Sequence, residues 1–386
     1  MFFDAAVIGA GPAGSLCAYT LAAQGLSVAV IEKEFFPRAK TCGGGVTERA
    51  WRLLPFSADQ TVDHVCSEVR ITLPRAGLAF SVQRETPLIR TLSRERFDDE
   101  CAKAAAHQGA HFRFGTPVTG LRLEKEHVVL ALGPECLSAR TVVACDGALG
   151  QTATLAGFPC SRPMLIPACK WEIPLPPETI QGLCPVPRFD LGVVPHGYGW
   201  IFPKKAGLSA GVLSHHPRLA QLQKGLKAYL ADAAIPFSPA IRKSAHPIPV
   251  KPHSPAWHGP VLLAGDAWGG VDPLTAEGLF SAMQSGCLAA QAIIDNRDTP
   301  EKIGCAYEQS LKAFLIPDIN ASAWLAKLLY RSAHPPAFLF KTAGQTLCER
   351  VADVFEGKRR WSEEIRKTRN YLGLLKGPLF GLLKGR

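Results

Sequence analysis

No stretch of this 386-residue chain holds the eighteen or so uninterrupted apolar residues that a helix needs to cross a bilayer. The first basic residue is Lys33, and a glycine turn interrupts the first apolar run, so no secretory leader is expected. The twelve cysteines form no C-x-x-C pair and no Cys/His cluster at zinc spacing. Neither a disulfide framework nor a metal site is therefore expected. Reduced thiols in a cytoplasmic setting are, most of them acting as small buried hydrophobes. No internal repeat and no module that reads DNA or RNA is visible, despite a net charge of +10. The 35 glycines and 31 prolines are scattered, so they mark many turns and no low-complexity tract. With 47% hydrophobic and 20% charged residues, the composition excludes a disordered chain, and the length suits two domains.

What is present begins at once. Ala5 to Ile8 is a short apolar strand that runs into Gly9-Ala10-Gly11-Pro12-Ala13-Gly14. An Ala/Leu-rich helix follows over 13–24, Gly25 stops it, and a second strand over 27–31 ends on Glu32 and Lys33. This order fits dinucleotide binding. Gly9 permits the tight turn, Gly11 lets the backbone approach a pyrophosphate, and Gly14 lets helix and strand pack closely. The helix N-terminus offers unpaired N–H groups to phosphate, and Glu32 sits where it can accept from a ribose.

A second strand–turn–helix unit lies some 250 residues on. Val261 to Ala264 leads into Gly265-Asp266, then Pro273 to Gly278, then a helix over 279–294 that starts at Leu279. The strand carries Asp266 to the carboxyl end of a sheet, where open α/β folds bind ligands. A third strand, from Thr141, ends in Asp146-Gly147.

These three segments together resemble the para-hydroxybenzoate hydroxylase-like flavoproteins. That resemblance implies FAD as the resident cofactor, with Asp266 near its ribityl or pyrophosphate region and the loop from Pro273 to Gly278 beside the isoalloxazine. Two more segments narrow it. Cys42-Gly43-Gly44-Gly45 and Tyr198-Gly199-Trp200-Ile201-Phe202-Pro203 resemble motifs of the geranylgeranyl reductases, a likeness spanning residues 2–294. It implies an FAD enzyme that reduces C=C bonds of a polyprenyl chain. It also implies an Arg on the helix over 94–107 that reaches the FAD. Arg94 or Arg96 fits, and Arg96 is taken here; alternatively Arg96 only pairs with Asp99 or Glu100.

The expected fold is α/β: a Rossmann-like FAD-binding domain over 1–56, 88–156 and 256–298, and an inserted antiparallel-sheet substrate domain over 57–87 and 157–255. A helical C-terminal region over 299–386 completes it, broken at Pro317 and at His334-Pro335-Pro336. Ser93 is the expected N-cap of the helix that starts at Arg94. His246, His253 and His258 read as loop residues, and His196 and Lys204 as surface ones.

An isolated alkene accepts hydride poorly, so a proton must arrive from a positioned group. Cys42, Tyr198 and Trp200 are the candidate catalytic residues. Cys42 would gate the site or relay a proton, while Tyr198 and Trp200 share one strand face and would wall the prenyl channel. Each has a plainer alternative as a packing residue. One dinucleotide fingerprint is present, so NADPH would bind without a Rossmann domain of its own, or electrons would come from a ferredoxin-like donor. The alternative reaction is FAD-dependent hydroxylation of an aromatic or lipophilic molecule.

The excess charge is concentrated at one end. From Lys358 to Arg386 there are nine basic and two acidic residues, interleaved with Trp361, Leu379, Phe380 and other apolar residues. Such a segment suits peripheral contact with an anionic membrane surface, on the inner face for a cytoplasmic protein; a solvated helix packed on the body is the other reading.

Overall fold

A computed structural model describes residues 1–159, 164–216, 219–236 and 240–365. The tail beyond residue 365, which holds most of the expected membrane-contact segment, lies outside the described residues. The first three cations of the expected segment precede that tail and are described, and all are ion-paired: Lys358 with Glu356, Arg359 with Asp353 and Glu364, and Arg360 with Asp318. Among the described residues, no helix is long and apolar enough to cross a membrane.

The described residues form an eight-stranded sheet, a seven-stranded sheet and a small three-stranded one. In the first, strands Val261–Leu263, Glu135–Ala144, Phe2–Ile8 and Val28–Ile31 lie side by side and parallel. Their apolar runs are buried on both faces, as parallel strands under helices require. The register pairs Ile8 with Ile31 and Ala144, and Ala144 with Leu263. All four carboxyl ends therefore align, immediately before Gly9, Glu32, Cys145-Asp146 and Gly265-Asp266. Helices Pro12–Ala23 and Leu279–Asp295 cover one face. They approach so closely that a Cβ on Gly286 would collide with the Ala13 backbone. Helix Arg94–His107 has the predicted bounds, but the Ser93 side chain makes no capping bond.

The seven-stranded sheet runs Arg242–Pro249, Leu165–Pro174, Gly207–Ser214, Gly197–Lys204, Arg188–Leu191, Glu68–Leu73, Leu78–Gln83. It departs from the expected antiparallel pattern once, where Arg188–Leu191 runs parallel to Glu68–Leu73. Gly197–Lys204 is buried at all eight positions because both faces are covered. Ile201 packs under helix Leu219–Asp232 with Leu226 and Tyr229, while Tyr198, Trp200 and Phe202 face the other way.

Helices Ile303–Phe314, Ile316–Tyr330 and Ala337–Phe355 follow. The expected break at Pro317 is present: the first helix ends at Phe314, Leu315 interrupts it, and Pro317 sits in the first turn of the second, where a missing N–H costs nothing.

Candidate active site

A cavity of about 830 Å³ lies between the aligned strand ends and the aromatic face of Gly197–Lys204. At its glycine-turn end, Gly9 has φ +98°, and a Cβ there would strike the Cys145 carbonyl. Gly14 is filled against Gly9, so it serves packing and does not line the cavity. Gly11 does line it, and the nearest atom to a Cβ built there is Arg38 Nη2 at 3.8 Å. Glu32 is 6% exposed, and its two oxygens accept from Ala10 N (2.8 Å) and Glu34 N (3.0 Å). Those bonds fix the carboxylate at the cavity wall beside Lys33, with lone pairs left over.

Asp146, Gly147 and Asp266 line the same end. Asp146 Oδ2 accepts from Thr152 N (2.9 Å) and Oγ1 (2.8 Å), while Oδ1 is buried without a partner. Burial pushes this carboxyl above its ordinary value despite the Thr152 bonds. Lys40 faces Asp266 and lies 3.3 Å from His246 Nε2, and burial pushes both bases down. His246 was expected in a loop; it stands on strand Arg242–Pro249 and lines the cavity.

Pro12, Ala13, Gly278 and Leu279 complete the wall at two helix N-termini. Gly265 and Pro273 do not line it. Gly265, at φ +60°, bends the chain and donates to Ser285 Oγ (2.9 Å), and the Pro273 carbonyl is held by His215 Nε2 (3.0 Å).

The Cys42–Gly45 segment forms the middle of the cavity. A Cβ on Gly43 would lie 2.9 Å from Trp200 Nε1 and 3.2 Å from the Phe202 ring, and one on Gly45 2.9 Å from that ring. The glycines are thus required by the aromatic strand that the loop lies against. Gly44 adopts φ +70° and donates to Cys42 Sγ (3.4 Å). Burial alone would raise the Cys42 thiol, but Arg94, the Gly44 N–H and Lys170 outweigh it and hold it below its ordinary value.

Arg94, not Arg96, is the cavity arginine. It lines the wall and grips Asp98 through two bonds (2.7 and 2.9 Å). Arg96 points away, to Asp63 (2.5 Å) and the Gln60 carbonyl, and pairs with neither Asp99 nor Glu100. Lys204, expected at the surface, is 9% exposed and donates to the carbonyls of Gly44 (3.0 Å) and Leu92 (2.6 Å).

The far end is aromatic: Phe189, Tyr198, Trp200, Phe202 and Phe355 line it. The Tyr198 hydroxyl donates to the Thr275 carbonyl, and burial pushes this phenol well up. Trp200 Nε1 is buried without a partner. Sequence reasoning missed Arg94 as the chosen arginine, and also Lys40, Lys170, Glu277 and Phe355. Glu277 accepts from Thr47 Oγ1 and from Arg49.

The residues fit a dinucleotide with a long apolar neighbour. An open glycine turn, a pinned acid and two unpartnered buried polar atoms border one continuous cavity. A profile described as the FAD binding domain matches residues 3–297. The chain is 30% identical to a geranylgeranyl diphosphate reductase of Rhodobacter capsulatus, over 76% of this chain and 75% of that one. It is also 30% identical to a digeranylgeranylglycerophospholipid reductase of Methanocella arvoryzae, over 75% and 77%. The chain belongs to the geranylgeranyl reductase family of FAD-dependent oxidoreductases.

The fold of this reductase-family chain agrees. A geranylgeranyl bacteriochlorophyll reductase-like protein from Thermoplasma acidophilum superposes with TM-score 0.77 at 23% identity, covering 91% of this chain and 92% of that one. A flavin-dependent brominase gives TM-score 0.70 at 19% identity, over 97% and 100%. Both likenesses concern the para-hydroxybenzoate hydroxylase-like architecture alone.

Proposed function

We propose that this FAD enzyme reduces C=C bonds of a polyprenyl chain. The observation that carries the reading is the continuity of the cavity: its glycine-and-acid end runs through the Cys42–Gly45 loop into an aromatic end with few polar groups. Such an end suits an apolar chain, and the relatives named above act on prenyl compounds by their names. Glu32, Gly11, Asp146 and Asp266 would hold FAD, which when bound and reduced supplies the hydride.

The second hydrogen must come as a proton. Cys42 is the residue for it, because its half-buried thiol lines the cavity and Arg94 makes it more acidic than an ordinary buried thiol. Tyr198 is less suited, since its hydroxyl proton is committed to the Thr275 carbonyl. Its ring and that of Trp200 wall the channel and exclude water. The reductant that recharges FAD, NADPH or a ferredoxin-like protein, would dock without a second dinucleotide fingerprint.

The test is anaerobic. The purified enzyme is photoreduced, geranylgeranyl diphosphate is added, and flavin absorbance is followed while the product is weighed. Reoxidation with a gain of one H₂ per turnover is expected. Flavin that stays reduced with every prenyl compound and reoxidises only in air would overturn the reading.

A further inference from the structure

The aromatic end of the cavity is closed by a residue from a region that carries no motif. Phe355 is the last residue of helix Ala337–Phe355, and it lines the cavity although it is only 3% exposed. Its ring centroid lies 6.1 Å from that of Phe189, which stands 5.3 Å from Phe202. On its other side it belongs to a packed cluster with Val69, Ile71, Val82 and Leu88. A lining residue with solid apolar packing behind it marks a blind end, not a mouth.

The backbone that carries this ring is held from the next residue. Glu356 is fully buried, and its carboxylate accepts from Arg84 Nε (3.2 Å) and Thr86 Oγ1 and pairs with Lys358 (2.7 Å). Its carbonyl accepts from Arg52 (3.2 Å). Arg84 also reaches Glu349 (2.5 Å) and Asp353 (3.2 Å), so one guanidinium grips three carboxylates along the end of the helix. Their spacing puts them on one helix face, turned to the strand Leu78–Gln83 that Arg84 follows. Charge-assisted bonds of this kind fix geometry as well as energy. The ring therefore cannot retreat without breaking the clamp.

We infer that Phe355 is the specificity-determining residue that sets how long a prenyl chain the cavity accepts. This rests on the polyprenyl reading above. A chain whose end reaches the ring fits, and one isoprene unit more meets a wall packed as densely as any core, which resists added volume. The C-terminal helical region is thereby the gauge of the substrate.

The experiment uses the full chain loaded with FAD and prenyl diphosphates of three, four and five isoprene units. Two readings are taken for each: kcat/KM after anaerobic reduction, and Kd from the change in flavin absorbance of the oxidised enzyme. Phe355→Ala is expected to raise the five-unit to four-unit ratio about tenfold or more in both readings. Phe355→Trp should lower the four-unit to three-unit ratio by a similar factor. Phe355→Leu, which keeps an apolar filling and guards against misfolding, should move the first ratio in the same direction by less. Ratios unchanged within about twofold in the folded Leu and Ala variants would overturn the inference. If even the unaltered enzyme reduces no prenyl chain, the proposed activity fails, and the Kd ratios alone decide the gauge: the same shifts support it, and unchanged ratios overturn it.

Discussion

Replacing Lys204 by methionine should leave stability at neutral pH little changed but abolish a gain that the unaltered protein shows in alkali. Lys204 is 9% exposed, and among the described residues no carboxylate lies within ion-pair distance of it. Its ammonium is satisfied by two carbonyls, Gly44 O and Leu92 O. Burial pushes its pKa from 10.5 to about 8, against the upward pull of Glu172, Asp63 and Cys42 and with the help of Lys170. Below pH 8 both folded and unfolded chains carry the proton, so the folded state bears the cost of a buried charge. Between pH 8 and 10.5 the unfolded chain keeps the proton and the folded one does not, so stability rises with pH. A shift of this size corresponds to about 3 kcal/mol across the window. Methionine removes the charge but also two charge-assisted hydrogen bonds of about 1.5 kcal/mol each, so near pH 7 the two effects largely offset. Urea denaturation of both proteins from pH 7 to 10.5 isolates the residue and the groups coupled to it, Cys42 and Cys66 among them, because titrations that do not sense Lys204 cancel in the difference. The unaltered protein should pull ahead by about 3 kcal/mol. Parallel curves would refute the reasoning.

Two further predictions concern the cavity wall. Arg94→Met removes the largest influence that opposes burial at Cys42, so the thiol should titrate higher. Alkylation of Cys42 by iodoacetamide should then slow at neutral pH and its rate profile shift to more alkaline values; an unmoved profile would show that Arg94 does not tune the thiol. Gly11→Val adds a branched side chain where only Arg38 Nη2 stands within 4 Å. The fold should persist while FAD affinity falls by roughly a hundredfold, about 2.7 kcal/mol, read by flavin retention on gel filtration and by titration. A variant that keeps stoichiometric flavin would contradict the assigned pyrophosphate cradle.

The parts of the site that are local in sequence were legible in it. A strand, a turn and a helix N-terminus are one continuous segment, so Gly9, Gly11, Glu32 and Asp266 could be set at strand ends without knowing any long-range contact. The same holds for Tyr198 and Trp200, whose alternation alone puts them on one face. The choice between Arg94 and Arg96 was legible too, but the helical period was needed to make it. Phe97, Cys101 and Ala105 are the buried stripe of that helix, and Arg94 lies three residues before its first member, on the same side. Arg96, two positions from Arg94, falls on nearly the opposite face. Lys40 against His246, and Lys204 against Gly44, were not legible, because each pair joins segments about 160 to 206 residues apart. Phe355 was the hardest: one apolar residue among many in an amphipathic helix, distinguished only by what it meets.

That helical region also builds the loop between Asp272 and Gly278, which borders the cavity. Ala276 is not glycine yet has φ +55°, a conformation that costs an L-residue about 1–2 kcal/mol. The loop keeps it because side chains from several distant segments hold it. The Asp272 carboxylate accepts from Leu274 N (2.8 Å), Thr275 N (3.0 Å) and the indole N–H of Trp361 (2.7 Å). The successive carbonyls of Pro273, Leu274 and Thr275 are held by His215, Tyr330 and Tyr198. At about 1 kcal/mol net each, these bonds outweigh the strain several times over. Tyr330 and Trp361 lie beyond residue 297, where the FAD-domain match ends. This stretch of the cavity wall is therefore completed by the region that bears no motif: Tyr330 ends helix Ile316–Tyr330, and Trp361 packs with Ala321 of that helix and with Val354, the neighbour of Phe355. The loop and the closed end of the channel are thus joined through the Ala321–Val354–Trp361 cluster, so a change in how those helices pack would reach both.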